Sequence, residues 1–301
     1  MHRRLIFLFL VFLAVSVPAA AQSVSEALNQ FDGKILVLRH PLENNSQQYD
    51  AEGNPLSGVE GPWTVYGGIL IDHVSLRSDQ LRIEGRRMLF LFEKGRPKLM
   101  EFKTLKDRRV EPFKPQVKLE IKLEHPLDSD EQAHALLGRI FFLNSSDFSN
   151  SLPEFWRKYL ADKLTYDPSQ AQEAEFSWKE PPPPKRELVH MQPAATKDSN
   201  ADPGQTIFHI GPGVSTPRAT FTPEPQFSEI ARYEKFQGVI VASVIVGTDG
   251  RLHGIRVVRP LGLGLDDSAL STLQTWRFDP AKYEGKPVAV EMSIEVSFNL
   301  Y

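Results

Sequence analysis

The chain has 301 residues, of which 41% are hydrophobic and 24% charged, and this length and composition fit a globular protein of about two domains. Its formal net charge of −3 argues against a nucleic-acid partner, because nucleic-acid-binding surfaces normally carry a basic stripe. The absence of cysteine excludes disulfides, thiolate nucleophiles and zinc–thiolate sites.

The N-terminus has the pattern of an export signal. A basic start at residues 2–4 precedes an apolar run at residues 5–17, and the small residues 19–21 form a cleavage site before Gln22. The apolar run is shorter than the ~20 residues that a permanent membrane span needs. We therefore predict a cleaved signal peptide over residues 1–21 and a protein exported to the periplasm or cell envelope. The alternative is an uncleaved segment that anchors the chain in the inner membrane.

Residues 22–178 are predicted to form a mainly β domain closed by helices. Its clearest strand alternates Val117, Leu119, Ile121 and Leu123 with charged residues, which is typical of a strand buried on one face. Turns rich in Gly, Pro and Asn separate the apolar segments. The predicted strands are 34–39, 63–76, 81–93, 98–103 and 116–124, and the predicted helices are 130–137 and 152–164.

Residues 179–216 are predicted to be a Pro-rich linker, because this segment is polar and lacks periodicity. Its four consecutive prolines at 181–184 favour extended polyproline II and so a semi-rigid spacer. The alternative is a proline-rich ligand for an aromatic groove, which is less expected of an exported protein.

Residues 217–301 are predicted to form a small module with a three-stranded antiparallel sheet and two helices, so that the whole chain is α+β. The pattern gives a helix at 227–235, a hairpin of strands 239–246 and 252–259 around Asp249-Gly250, and a final strand at 288–300. The second helix is expected to begin at Asp266, a good N-cap residue.

The final strand is the candidate functional element. Its apolar residues alternate with Ala289 and a series of polar residues, which indicates a sheet covered on one side only. Because it is the last element, it can form a sheet edge whose backbone groups are available to a partner strand.

The ordered residues of this module resemble the C-terminal domain of the TonB family. The resemblance rests on the following positions: Pro225, Ala231, Arg232, Gln237-Gly238-Val239, Asp249-Gly250, Leu265-Asp266, Ala269-Leu270, Trp276-Arg277-Phe278, Pro280-Ala281, Gly285-Lys286-Pro287-Val288 and Val296-Ser297-Phe298.

This resemblance implies a periplasmic domain that binds the extended "TonB box" peptide of outer-membrane transporters by strand addition. It places the peptide-binding edge on the terminal strand, with further peptide contacts at Gln226 and Phe227. The predicted edge residues are Val290, Glu291, Met292, Ser293, Ile294, Glu295, Val296 and Ser297.

Two departures from the family concern energy coupling. TonB proteins keep an uncleaved membrane helix, coupled to the proton-driven ExbB and ExbD complex, and carry a long Pro-rich spacer. Here the leader has a cleavage pattern and a β-rich domain replaces most of the spacer, which argues against ExbB and ExbD as partners. Smaller departures are Phe227-Ser228, where the family usually has Tyr-Pro, and Pro260-Leu261-Gly262, where it often has a Ser-rich turn.

No motif predicts catalysis, a metal or a cofactor. The eight histidines show no ligand spacing, and Gly262-Leu263-Gly264 is read as a simple turn rather than a phosphate loop. Asp266-Asp267 are assigned to helix capping, and Trp276 and Phe278 to the core.

The first hypothesis is therefore an exported TonB-like protein that binds a segment of an outer-membrane transporter or another envelope protein, with a role in energised transport. One alternative is a periplasmic scaffold or homodimerisation unit without energy coupling. Another is a ligand-binding domain at residues 31–164 tethered to a TonB-like tail, which no motif supports.

Overall fold

The computed structural model describes residues 19–93, 96–101, 115–165, 177–178 and 206–300. Most of the predicted signal peptide, and the proline run with most of the predicted linker, lie outside these residues. Among the described residues, no helix has the length and apolar character needed to cross a membrane.

The described residues form two mixed sheets, two small two-stranded sheets and seven helices. The helices are α1 (Ala19–Asn29), α2 (Trp63–Tyr66), α3 (Asp130–Ile140), α4 (Ser145–Ser151), α5 (Glu154–Lys163), α6 (Glu229–Tyr233) and α7 (Leu265–Leu273). The strands are β1 (Ile35–Leu38), β2 (Ser46–Tyr49), β3 (Gly68–Leu76), β4 (Gln80–Glu93), β5 (Arg96–Glu101), β6 (Gln116–Lys122), β7 (Phe141–Phe142), β8 (Leu164–Thr165), β9 (Ser177–Trp178), β10 (Ile207–His209), β11 (Arg218–Phe221), β12 (Gly238–Val246), β13 (Leu252–Arg259), β14 (Arg277–Asp279), β15 (Ala281–Tyr283) and β16 (Lys286–Phe298).

The N-terminal domain is built on a seven-stranded sheet in the order β2-β6-β4-β3-β1-β7, with β5 also paired to β4. Residues of α1 and α3 cover one face of this sheet, where Leu28 and Leu137 join its buried aliphatic side chains. An aromatic cluster that includes Trp63, Phe90 and Trp156 covers the other face. The mainly β architecture with closing helices agrees with the sequence prediction.

One predicted strand is wrong at its start, because residues 63–66 form α2 rather than β structure. Pro62 precedes this turn of helix, where a fixed φ and a missing N–H cost nothing. The strand begins at Gly68, where a Cβ would lie 2.6 Å from the Met88 carbonyl oxygen. Pro and Gly thus limit the helix, and the aromatic content that suggested a strand serves the core cluster instead.

The C-terminal domain contains the predicted antiparallel strands in the order β13-β12-β16, with α6 and α7 contributing to its core. A fourth strand, β10, extends this sheet on the far side of β16 and runs parallel to it. β15 also pairs with β16, and β11 pairs with β14 in a separate two-stranded sheet. β10 lies within the segment assigned to the linker from its composition.

The two domains are joined by backbone hydrogen bonds of the kind that hold a sheet together. The Phe92 amide donates to the Leu261 carbonyl at 2.8 Å, and the Leu263 amide donates to the Phe90 carbonyl at 3.0 Å. Residues 261–263 thereby pair antiparallel with the end of β4, in a bridge between Leu91 and Gly262. The loop before α7 acts as a short extra strand on the N-terminal sheet.

Glycines make this close approach feasible. Gly262 has φ +85°, and a Cβ there would lie 2.2 Å from the Phe90 carbonyl oxygen, so only glycine fits without a shift of the backbone. The Gly264 amide then donates to the Thr64 hydroxyl at 3.0 Å.

Apolar side chains of both domains share cores around this junction. One cluster unites Leu89 and Leu91 of the N-terminal domain with Leu261 and Leu263. The aromatic cluster likewise takes in side chains of β13 and α7, and α5 packs on β13. Since a large apolar interface opposes relative motion, the two domains form one packed unit.

Candidate peptide-binding edge

β16 shows the predicted alternation of side chains in its C-terminal half. Ile294, Val296 and Phe298 are 6%, 4% and 2% exposed, while the residues between them face solvent. The alternation fails at Ala289, which was expected on the wet face and is only 1% exposed. It is buried because Ile207 of β10 and Ile245 of β12 pack with it in a small apolar cluster.

The two edges of β16 are unequally occupied. On one edge β12 pairs with it along residues 290–298. On the other, β10 pairs with residues 289–291, so that Val290 has a partner strand on both sides. Within the chain as described, no strand pairs with residues 292–298 on this second edge. A stretch of about 20 Å of strand is therefore open to an incoming segment.

The predicted edge residues alternate between the core and solvent only in the second half of the set. Val290, Ile294 and Val296 are buried, Glu291 and Met292 are half-buried, and Ser293, Glu295 and Ser297 are exposed. The predicted set thus runs from the part paired with β10 into the open part. Residues 290 and 291 are not free to accept a second partner while β10 is in place.

The acidic side chains of β16 are held by neighbours on the wet face of the sheet. Glu291 accepts hydrogen bonds from Ser243 at 2.8 Å and from Arg256 at 2.6 Å. Glu295 lies 3.8 Å from Arg259. These contacts connect β16 to β12 and β13. The open edge then presents mainly its backbone groups and the side chains of Ser293 and Ser297.

The two further predicted contact residues lie near the end of β16 or near α7. Phe227 packs edge-on against Phe298, with ring centroids 5.4 Å apart, and is half-buried. Gln226 is exposed, and its carbonyl accepts a hydrogen bond from Ser268 of α7. Phe227 therefore supports the core at the end of β16.

The core assignment of the two aromatic residues after α7 agrees with their positions. Phe278 is buried, and Trp276 is half-buried beside it. The Trp276 indole N–H donates to the Pro223 carbonyl at 3.1 Å, which ties the start of the domain to this core.

The expected N-cap at Asp266 is wrong. Gly264, in the left-handed region at φ +75°, occupies the cap position of α7, and Asp266 lies in the first turn. Its buried carboxylate accepts from the Leu261 amide at 2.9 Å and the Gly262 amide at 2.6 Å. Asp266 therefore fixes the loop that docks on β4. The signal missed in the sequence is the period-two pattern Leu-Gly-Leu-Gly-Leu over residues 261–265.

Both carboxyl groups at this junction hold protons more tightly than usual. Burial raises the pKa of Asp266 to about 7, although the two loop amides act in the opposite direction. Burial also raises the pKa of Asp267 to about 6. Among the described residues, Asp267 Oδ2 has no hydrogen-bond partner.

Asp267 also lines an open cleft of about 560 Å³ between the domains, together with Arg39, Trp63 and Arg157. In the described part of the chain the buried Trp63 Nε1 has no hydrogen-bond partner either. No group of three or more His, Asp or Glu side chains that could hold a metal ion is found in the same residues.

The architecture defines the C-terminal part as an α+β domain in which, among the described residues, half of one edge of β16 has no partner strand. Residues 223–300 match the family model described as the Gram-negative bacterial TonB protein C-terminal, so this part of the chain is a TonB C-terminal domain. The family is not one of enzymes, and the N-terminal domain lies outside the match.

Among solved structures, the solution NMR structure of the Pseudomonas aeruginosa TonB C-terminal domain is similar to this chain. The identity is 18%, the match covers 31% of this chain and 93% of that one, and the TM-score is 0.23. No curated protein matches the chain significantly.

Proposed function

We propose that the protein is an exported binding protein whose C-terminal domain captures an extended segment of an envelope protein by strand addition to β16. The observation that carries the proposal is the edge at residues 292–298, which no strand of the described residues pairs with, in β16 of a TonB C-terminal domain. A TonB-dependent outer-membrane transporter is the proposed partner, with its TonB box as the added strand.

The chemistry of this edge favours recognition of backbone over side chains. Glu291 is held by Arg256 and Ser243 behind it, so it offers little to an incoming side chain, whereas Glu295 lies 3.8 Å from Arg259 and is largely exposed. A partner strand would satisfy the free N–H and C=O groups of β16, and specificity would come from alternate side chains near Ser293 and Ser297. Such a site tolerates substitution on its own side chains and is sensitive to loss of an N–H group.

The experiment places proline in turn at Ile294 and Glu295 and measures affinity for synthetic TonB-box peptides. Consecutive N–H groups of a strand point to opposite edges, so one variant loses a bond to β12 and the other loses a free-edge donor. The variant that retains its fold is informative, and we expect it to bind at least about 10-fold more weakly. Glu295→Ala and Ser297→Ala are the matched controls and should bind within about twofold of the unaltered chain.

Unchanged affinity in the folded proline variant, or the absence of any binding by the unaltered chain, would exclude this function. Direct coupling to ExbB and ExbD is a separate matter that depends on the leader. Sequencing the mature N-terminus decides it: a start at Gln22 argues against coupling, and a retained Met1 supports it.

A further inference from the structure

β10 occupies part of the same edge on which the proposed function depends. Its three residues pair parallel with residues 289–291 of β16 and lie outside the family match, which begins at residue 223. This short strand is thus contributed by the segment before the TonB C-terminal domain.

β10 makes fewer contacts with β16 than β12 does. Ile207 is 1% exposed and packs with Ile245 and Ala289, and Phe208 is half-buried against the Tyr283 ring at 5.4 Å. His209 is exposed, so the contact is made by two side chains and a three-residue ladder. The ladder with β12 runs over nine positions. Elements with few buried contacts open locally at low free energy.

The chain after β10 has its own attachment, which would survive release of β10. Val214 bridges to Tyr283, and the Ser215 amide donates to the Lys282 carbonyl at 2.9 Å. Between the two attachments lies a turn that contains Gly211 and Gly213, the latter at φ +83°. These glycines can absorb the backbone change if β10 leaves the sheet.

We propose that β10 is a displaceable intrachain plug, which a partner strand spanning residues 289–298 must release in order to pair along the whole edge. This inference rests on the proposed function and adds a regulatory step to it. The apparent affinity of a partner is lowered by the fraction of molecules in which the plug is closed, so weakening the plug strengthens binding.

The decisive variant is His209→Cys/Glu291→Cys. These positions are paired in the ladder, and Cα atoms of paired strands lie about 4.8 Å apart, within the range that a disulfide spans. Because the chain has no cysteine, these two would be its only thiols. Oxidation locks the plug, and the reduced form of the same variant is the matched control.

We expect the oxidised form to bind TonB-box peptides at least about 10-fold more weakly than the reduced form, and Ile207→Gly/Phe208→Gly to bind about 10-fold more tightly than the unaltered chain. Equal affinities of the oxidised and reduced forms would overturn the plug even if the peptides bind well.

If no peptide binds any form, the proposed function fails and the plug is judged alone by native-state hydrogen exchange of the free chain. Exchange of the residue 207–209 amides by local opening, well before global unfolding, supports a displaceable strand. Exchange of these amides only through global unfolding overturns it.

Discussion

β4 and β16 are both longer than a strand that pairs with one of their edges. Part of that edge in each strand is therefore left with backbone N–H and C=O groups that the shorter neighbour does not reach. At the end of β4, residues 261–263 of the other domain pair with this edge. In β16, β10 pairs only with residues 289–291 near the start of the strand, and residues 292–298 have no second partner strand among the described residues.

The difference follows from burial on the two faces. Residues 89–92 of β4 are buried without alternation, so water cannot reach their backbone groups and a protein partner is required. In β16, every second residue from Ser293 to Ser297 is exposed, and water can satisfy the open edge. An edge buried on both faces becomes part of the fold, whereas an edge buried on one face can be kept for a binding partner.

The largest expected effect comes from disrupting the pairing of residues 261–263 with the end of β4. Gly262→Ala places a Cβ against the Phe90 carbonyl at a φ that disfavours alanine, and we expect unfolding free energy to fall by at least about 3 kcal/mol. Gly285→Ala is the control, because it has a similar φ of +79° but open space around it, and should cost about 1 kcal/mol. Chemical denaturation measures both, and equal costs would mean that the β4 junction contributes little.

The open edge is examined with proline at two adjacent positions, Met292 and Ser293. The variant whose N–H points to β12 should lose about 3 kcal/mol, and the one whose N–H points outward about 1 kcal/mol. Thermal and urea unfolding report the difference. Two equally severe losses would indicate that the second edge is covered in solution.

A smaller effect is expected from the carboxyl groups of buried Asp266 and half-buried Asp267, which lie next to the edge of β4 that residues 261–263 cover. Their pKa values are raised above the ordinary value of 3.8, so the folded chain holds protons that the unfolded chain has released. The stabilisation is fully present below pH 3.8 and is lost as pH rises through about 6 for Asp267 and about 7 for Asp266.

Asp267→Asn should therefore flatten the decline in stability between pH 4 and 6 and add about 1 kcal/mol at pH 7. Urea unfolding across this pH range measures both effects. An unchanged slope in this variant would show that Asp267 is more hydrated than its position in the fold indicates.

The smallest effect concerns the wet face of β16. Glu291→Gln weakens the pairing with Arg256 and should cost about 0.5 kcal/mol, because both side chains are partly exposed and screened by solvent. The cost should shrink at 1 M salt, and stability measured with and without salt checks it. A cost that does not change with salt would assign the contribution to hydrogen bonding with Ser243 instead.

Local patterns were sufficient to predict β16, the β12–β13 hairpin and β6, because each alternates or carries turn residues that dictate its neighbours. They were insufficient for residues 63–66, where aromatic side chains suited either a strand or a turn of helix. They also missed β10, because the apolar stretch around Ile207 is too short to predict a strand and Ile207 gains its burial from Ile245 and Ala289, far away in sequence.

The pairing of residues 261–263 with β4 could not be predicted from the sequence for a different reason. The unbroken apolar run at residues 88–92 indicates burial on both faces but does not reveal which segment covers it. Only the fold shows that Leu261 and Leu263 do so and that Asp266 braces the loop rather than capping a helix.

Because the two domains share apolar clusters, a fragment that contains only the C-terminal domain would expose side chains that are buried in the whole chain. A fragment starting at residue 217 would uncover Val257, Leu261, Leu263 and Leu270, side chains that lie in clusters with the N-terminal domain. Their exposure would create an apolar surface patch that favours self-association. Dimers observed with such a fragment would then reflect the cut surface rather than the oligomeric state of the whole protein.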